Sequence, residues 1–247
     1  MHFSRILSIS FGRCLALLMV MHSFCLGMIA PASAITTSQV TDLPSATVPK
    51  CSSGSVKIGG FLLADGKAPM ASSTSVILCW DAEHIEARFE VFSDTFRRND
   101  YKECNSATYN QEVVEMFIGK GGPENSTQYL EVELTPHNTL YLSHITNPFL
   151  NGTNKKNELV PCTMVDHEVG NITGGWTGAL KVPWSIITDK TPDAGSVFRT
   201  NFFRVQMLES TALCTPDICQ YGCWSTTHTN PPSFHQSMYF GSLILGV

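Results

Sequence analysis

The chain has 247 residues, with 16 basic against 21 acidic side chains and a formal net charge of −5. That balance, without any cluster of lysines and arginines, excludes a nucleic acid held on a basic surface. Hydrophobic residues make up 43% of the chain, ample for one sizeable core.

The first segment reads as a signal peptide over residues 1–34. His2, Arg5 and Arg13 give a weakly basic start, Cys14 to Ile29 is almost wholly apolar, and Ala32-Ser33-Ala34 supplies the small-x-small cleavage pattern. The apolar run spans 16 residues and contains His22, whereas a bilayer-crossing helix needs about 20. No later stretch is apolar enough to span a membrane, and the terminal SLILGV is too short for the tail of a lipid-anchor signal. Cleavage after Ala34 leaves a secreted chain of 213 residues. It loses Arg5 and Arg13, which takes the charge to −7.

Seven cysteines follow the signal: Cys51, Cys79, Cys104, Cys162, Cys214, Cys219 and Cys223. An oxidising compartment pairs most of them and leaves one over, with connectivity open. Cys214-x4-Cys219-x3-Cys223 lacks the tight spacing of most zinc sites, so local disulfides are expected there rather than metal ligands. Asn125-Ser-Thr, Asn151-Gly-Thr and Asn171-Ile-Thr are glycosylation acceptors expected in exposed loops.

Residues 35–50 are rich in Thr, Ser and Pro and read as a flexible leader, with the folded domain over 51–247. Val56 to Leu63 (VKIGGFLL) reads as a strand broken at Gly59-Gly60. Val76 to Trp80 (VILCW) is a continuous apolar run, the mark of a strand buried on both faces. Ile85 to Phe92 alternates, with Ile85, Ala87, Phe89 and Val91 on one face, and makes a hairpin with the preceding strand. Ser93 to Asn110 is a polar excursion. Strands follow at Glu112 to Gly119, Tyr129 to Leu134, Leu140 to His144, and Leu159 to Val165. Gly175 to Val182 places Trp176, Gly178, Leu180 and Val182 on one face, and Pro183 ends it. Trp184 to Ile187 reads as a short helical turn. Phe198 to Met207 is an aromatic strand carrying Arg199 and Arg204, Leu208 to Asn230 is a cysteine-bearing loop, and Tyr239 to Leu245 closes the domain. No stretch sustains a helical period. The fold class predicted is all-β: a single antiparallel β-sandwich of immunoglobulin-like or jelly-roll type, braced by disulfides.

Several pieces in order resemble the family 9 carbohydrate-binding modules and their DOMON-like β-sandwich relatives. They are VILCWDAEHIEARFEV from Val76, EVVEMFIG from Glu112, YLEVELTPHNTLYL from Tyr129, GWTGALKVPW from Gly175, FRTNFFRVQ from Phe198, and Trp224-Ser225 with FHQSMYFGSLIL from Phe234. The resemblance covers about Val76 to Leu245. It departs at Glu209 to Asn230, which is longer and richer in cysteine, and at Gly119-Lys120-Gly121-Gly122, where the family shows an Asp-rich turn. The family's paired-tryptophan sugar sandwich has no clear counterpart. The resemblance implies a non-catalytic secreted module with carbohydrate or polysaccharide as partner. As the alternative it also admits a haem-binding electron-transfer domain, for which Met116, Met164, Met207, His144, His167 and His235 supply the axial-ligand types without a telling spacing. An extracellular interaction domain is a third reading.

A sugar site needs an aromatic platform and a few fixed polar groups. The candidate ligand-binding residues are Trp176, Trp224, Arg204, Asn201, His235 and Glu115, with Trp224 the foremost platform. Trp80 and Trp184 read as core and corner. Arg204, on an apolar strand, must find a partner, and Glu112 or Glu115 can supply it. Glu112 and Glu115, three apart, face opposite sides of their strand. Glu131 and Glu133 share a face and read as an ordinary solvated edge. No catalytic motif is present, so no enzyme is expected. No cofactor is expected either; a structural calcium would draw on Glu131, Glu133 and Asp166.

Overall fold

The computed structural model describes residues 43–119, 126–210 and 212–247. The expected signal peptide, the first part of the leader and Asn125 lie outside them. The strands are β1 (Ser45–Val48), β2 (Val56–Gly59), β3 (Leu62–Leu63), β4 (Thr74–Trp80), β5 (His84–Phe92), β6 (Val113–Gly119) and β7 (Gln128–Leu134). There follow β8 (Leu140–Thr146), β9 (Lys156–Leu159), β10 (Asp166–Ile172), β11 (Gly175–Pro183), β12 (Val197–Met207), β13 (Cys219–Cys223) and β14 (Gly241–Leu245). Among the described residues only single turns of 3-10 helix interrupt them.

Two sheets face each other. Sheet A has nine strands along the path β1-β14-β12-β6-β7-β8-β9, with β13 joined to β12 and β3. Sheet B has five, in the order β10-β11-β5-β4-β2. All pairings are antiparallel except β1 with β14. The alternation read in β5 holds: Ile85, Ala87, Phe89 and Val91 are buried between the sheets with Trp176, Leu180 and Val182 of β11. Sheet A contributes Val114, Met116, Ile118, Leu130, Val132, Leu134 and Phe202 to the same core. Phe89 meets Phe202 edge-on across the gap, with ring centres 6.0 Å apart. Gly175 opens β11 so close to β5 that a Cβ there would lie 1.8 Å from the Val91 carbonyl oxygen.

One polar cluster interrupts this apolar layer. Arg204 points inward from β12 and is completely buried. Its Nε donates to Glu112 Oε1 at 2.9 Å, and Nη1 donates to Ser72 Oγ (2.7 Å) and Thr74 Oγ1 (3.1 Å). Nη2 lies 2.9 Å from Glu112 Oε1 and 3.4 Å from Asp94 Oδ1. Glu112 Oε2 accepts the Met207 N–H, and Asp94 Oδ2 accepts the Trp176 indole N–H at 2.8 Å. The partner expected for Arg204 is therefore Glu112.

Several expectations are corrected. The leader does not run to residue 50: Ser45–Val48 forms β1 along β14, and Val48 is buried in the core. Ile77 and Cys79 are only half-buried, because β4 has one outer face, and Cys79 is tied there to Cys51. Leu159 to Val165 is not a strand. Pro161 cannot donate to a ladder, so β9 stops at Leu159 and a 3-10 turn follows at Cys162–Met164. Asn171 sits on the edge strand β10 rather than in a loop, exposed, its Oδ1 accepting from Arg97. The cysteine-bearing loop contains β13. Disulfides join Cys51–Cys79, Cys104–Cys162 and Cys214–Cys219, and the odd cysteine is the buried Cys223.

Removing one partner of a buried ion pair leaves the other charge uncompensated. Arg204→Leu is expected to cost about 3–5 kcal/mol, read from urea unfolding midpoints. A loss below about 1 kcal/mol would mean that the cluster contributes nothing net to stability.

Candidate functional site

Sheet A has a second, outer face, and its side chains are set by strand parity. On β6 the outward residues are Val113, Glu115 and Phe117. On β7 they are Tyr129, Glu131 and Glu133, on β8 Tyr141, Ser143 and Ile145, and on β12 Asn201, Phe203 and Val205. Pairing places Glu115 directly opposite Glu133 and Phe117 opposite Glu131, while Phe203 lies opposite Glu115 from the other side.

A segment after the cis Asn230–Pro231 bond lies over this face. Phe234 stacks on Phe203 at 4.3 Å and His235 on Phe117 at 5.3 Å. Asn147 Nδ2 donates to the His235 carbonyl oxygen and so pins the segment down. A cleft of 430 Å³ remains, floored by Glu115, Phe117, Glu131 and Val205 and walled by Tyr109, Tyr141 and Tyr221. Tyr109 is 48% exposed at the mouth and meets Tyr141 edge-on, with ring centres 5.9 Å apart. Along the β9 rim, Lys155 Nζ donates to Asn157 Oδ1 (3.0 Å) and Asn157 Nδ2 donates to Tyr141 Oη (3.0 Å). A larger hollow of 490 Å³ lies on the outside of sheet B, lined by Glu86, Arg88, Asp166 and Lys181. There Lys181 already pairs with Glu86, and no tyrosine, phenylalanine or tryptophan lines it.

The electrostatics of the cleft floor are unusual. Glu115, Glu131 and Glu133 are 2%, 4% and 0% exposed. They are not the solvated edge expected for Glu131 and Glu133. Burial, reinforced by the neighbouring carboxylates, lifts Glu115 and Glu133 well above the usual carboxylate range. Burial pushes Glu131 up to about 7. Thr108 Oγ1 donates to Glu133 Oε2 at 2.5 Å. The Tyr129 hydroxyl meets His235 Nδ1 at 2.7 Å, and His235 Nε2 stands 3.8 Å from Glu131 Oε1. Burial pulls His235 down to about 3, so its ring is neutral at neutral pH.

Of the residues singled out from sequence, Glu115 and His235 come together here. The other four do not join them. Trp176 is fully buried between the sheets, its N–H held by Asp94. Arg204 is spent on its ion pair. Asn201 clamps the chain beside β12, donating from Nδ2 to the Ser225 carbonyl oxygen (2.7 Å) and accepting the Ser225 N–H (2.9 Å). Trp224 is half-buried and packs on Phe202 and Gly241, so it is not an open platform. Asp166 lies on β10 of the other sheet, away from Glu131 and Glu133. The haem candidates are likewise scattered: Met116 is in the core between the sheets, Met207 on the outer side of sheet A, and Met164 exposed. His144 lies on β8 and His167 on β10. Sequence reasoning missed Tyr109, Tyr141, Tyr221, Phe234 and Lys155. The available signal was the run of outward aromatic and acidic residues at adjacent register on β6 and β7.

A carboxyl group with a raised folded-state pKa holds its proton in the folded chain over a range where the unfolded chain has released it. Glu131 therefore favours folding below its ordinary value of 4.5, and that contribution is lost as pH rises through about 7. Its titration is shared with Glu115 and Glu133, beside His235, Lys155, Tyr109, Tyr129 and Tyr141. In metal-free buffer the chain is expected to lose on the order of 3 kcal/mol between pH 5 and 8 relative to Glu131→Gln. Urea unfolding at both pH values measures this; parallel pH profiles for the two proteins would contradict it.

No protein-family profile matches the sequence. An extracellular protein of Arthroderma benhamiae is 27% identical over 180 residues, covering 69% of this chain and 78% of that protein. Among solved structures, a "putative carbohydrate-binding protein" of Bacteroides uniformis superposes with a TM-score of 0.62 at 13% identity, over 83% of this chain and 100% of that one. A family 9 carbohydrate-binding module of Caldicellulosiruptor kristjanssonii, solved with cellotriose, gives 0.55 at 16% identity, over 82% of this chain and 94% of that one. The same module solved with glucose also gives 0.55. The chain thus has the β-sandwich fold of these carbohydrate-binding proteins.

Proposed function

We propose that the chain is a secreted, non-catalytic carbohydrate-binding module and that its sugar site is the cleft on the outer face of sheet A. The observation that carries this is the make-up of the cleft: aromatic walls around a floor that accepts hydrogen bonds. A pyranose presents apolar C–H faces ringed by hydroxyl groups, so it needs both surfaces at once. Tyr109 offers a half-exposed ring at the mouth, with Tyr141 and Tyr221 deeper. Glu115 and Glu131 can accept from sugar hydroxyls, and Lys155 and Asn157 can donate to them. The shared fold supports the reading, since its relatives include a module solved with cellotriose. Disulfides and the extracellular relative support secretion.

The carboxylates do not suit glycoside hydrolysis. An acid and its partner must flank the bond being broken, about 5 to 9.5 Å apart. Here all three stand side by side on one floor, with ligand oxygens within 4.8 Å of one another.

Binding to a glycan array and to insoluble polysaccharides tests the proposal, using secreted protein with its own glycans trimmed. Tyr109→Ala is expected to weaken a positive signal about tenfold, equivalent to about 1.4 kcal/mol. Trp224→Phe should leave it within a factor of about two. A signal that follows Trp224 and ignores Tyr109 would move the site elsewhere. Silence across plant, fungal and bacterial glycans would end the sugar reading.

A further inference from the structure

We propose that Glu115, Glu131 and Glu133 form a binding site for one hard divalent cation, of the calcium or manganese class, at the bottom of the outer-face cleft. Three observations carry it. First, the strand register itself builds the cluster. Glu115 and Glu133 are direct cross-strand partners and Glu131 is two residues along on the same face. One oxygen from each lies within 4.8 Å of the others. Like charges placed opposite each other destabilise a sheet, and burying even one carboxylate costs several kcal/mol.

Second, the protein supplies little compensation: Lys155 acts on Glu131 and Glu133 through space but makes no ion pair with either. Glu131 Oε2 and Glu133 Oε1 are buried without any hydrogen-bond donor. Among the described residues no lysine or arginine pairs with any of the three; the nearest charge-type contact is the His235 ring nitrogen at 3.8 Å. Lys155, the cation lining the cleft, has its ammonium on Asn157. A fully ionised cluster would carry three negative charges, and a divalent ion would leave one.

Third, the donors and their access define the kind of ion. All are carboxylate oxygens, which select hard cations over zinc or copper. Oxygens this close can gather round an ion at about 2.3–2.6 Å after small side-chain adjustments. Glu115 and Glu131 line the cleft, so an entry path exists and open coordination positions would face it. Compared with the structural calcium set that the sequence allowed for, this site shares Glu131 and Glu133 and has Glu115 in place of Asp166.

The inference does not depend on the sugar reading. The probes are calcium chloride and manganese chloride added to chelator-stripped full-length secreted protein. Calorimetry is expected to show one ion per chain, and the melting temperature should rise by about 5 °C near saturation. Terbium, excited through the tyrosines beside the cluster, should luminesce and be displaced by calcium. Glu133→Gln keeps the shape and removes one ligand charge behind the cleft lining, and should weaken binding at least tenfold. Absence of both calorimetric heat and terbium luminescence in the unaltered protein would overturn the proposal. So would binding that Glu133→Gln and Glu115→Gln, each shown folded by circular dichroism, leave untouched. Glycan binding without metal binding would sink this site and spare the sugar reading; metal binding without glycan binding would do the reverse.

Discussion

Arg204 is the fixed point between the sheets. A guanidinium carries five N–H donors in a rigid plane, and here it meets oxygen atoms on three separate stretches of chain. Glu112 precedes β6, Asp94 follows β5, and Ser72 and Thr74 lead into β4. Two of those stretches belong to sheet B and one to sheet A. An apolar core alone tolerates small slips of one sheet over the other. A buried charge with directional partners does not, because a slip would leave it unpaired at a cost of several kcal/mol. Trp176 joins the same cluster through Asp94, so the largest ring in the core is positioned by the same charge.

The parity of β6 connects that cluster to the cleft. Glu112 and Glu115 are three residues apart, so an extended chain sends them to opposite sides. Glu112 goes inward to Arg204, and Glu115 goes outward to the cleft floor. Fixing the first fixes the register of the second against Glu133 on β7 and Phe203 on β12. The structural ion pair and the candidate site are thus two faces of one strand.

Much of the sandwich was legible because its strands are amphipathic in the simplest way. Ile85, Ala87, Phe89 and Val91, or Trp176, Leu180 and Val182, each mark an inner face by alternation alone. The failures share a cause: sequence pattern shows which residues lie on the same side of a strand, but not what covers that side. Glu131 and Glu133 alternate with Leu130, Val132 and Leu134 as solvated residues do, yet the Phe234–His235 segment, some hundred positions later in the chain, closes over Glu131, and Thr108 sits against Glu133. Tryptophans attract attention as sugar platforms because they are large and apolar, and the same properties bury them: Trp176 went to the core and Trp224 onto Phe202. The exposed aromatic at the mouth of the cleft turned out to be Tyr109, within a stretch whose polar composition reads as plain loop. The edge strands β1 and β10, and the short β13 between β12 and β3, carry little apolar pattern. They form because a neighbour offers unpaired backbone groups, a tertiary cause with no local signature.

The two outer faces of the sandwich show what ordinary surface chemistry on this fold looks like and where it is departed from. On sheet B the outward charges alternate in sign and neutralise each other across the strands, as Lys57 with Glu90 and Lys181 with Glu86, and all stay in contact with water. Such pairs cost little and contribute little. On sheet A the outward ionisable groups at the cleft floor are all carboxyls, grouped on adjacent strands, ringed by phenylalanine and tyrosine, and covered. Nothing in the folding of a sandwich asks for that arrangement. Three alanines or serines would satisfy the same strands without the desolvation cost. A local choice that opposes stability with so little compensation, a distant Lys155 and one Thr108 hydroxyl, is the kind of departure that functional sites make from folding rules. Both sites proposed above therefore draw on the stretch of sheet A between Tyr109 and His235, where the sandwich departs furthest from its own surface pattern.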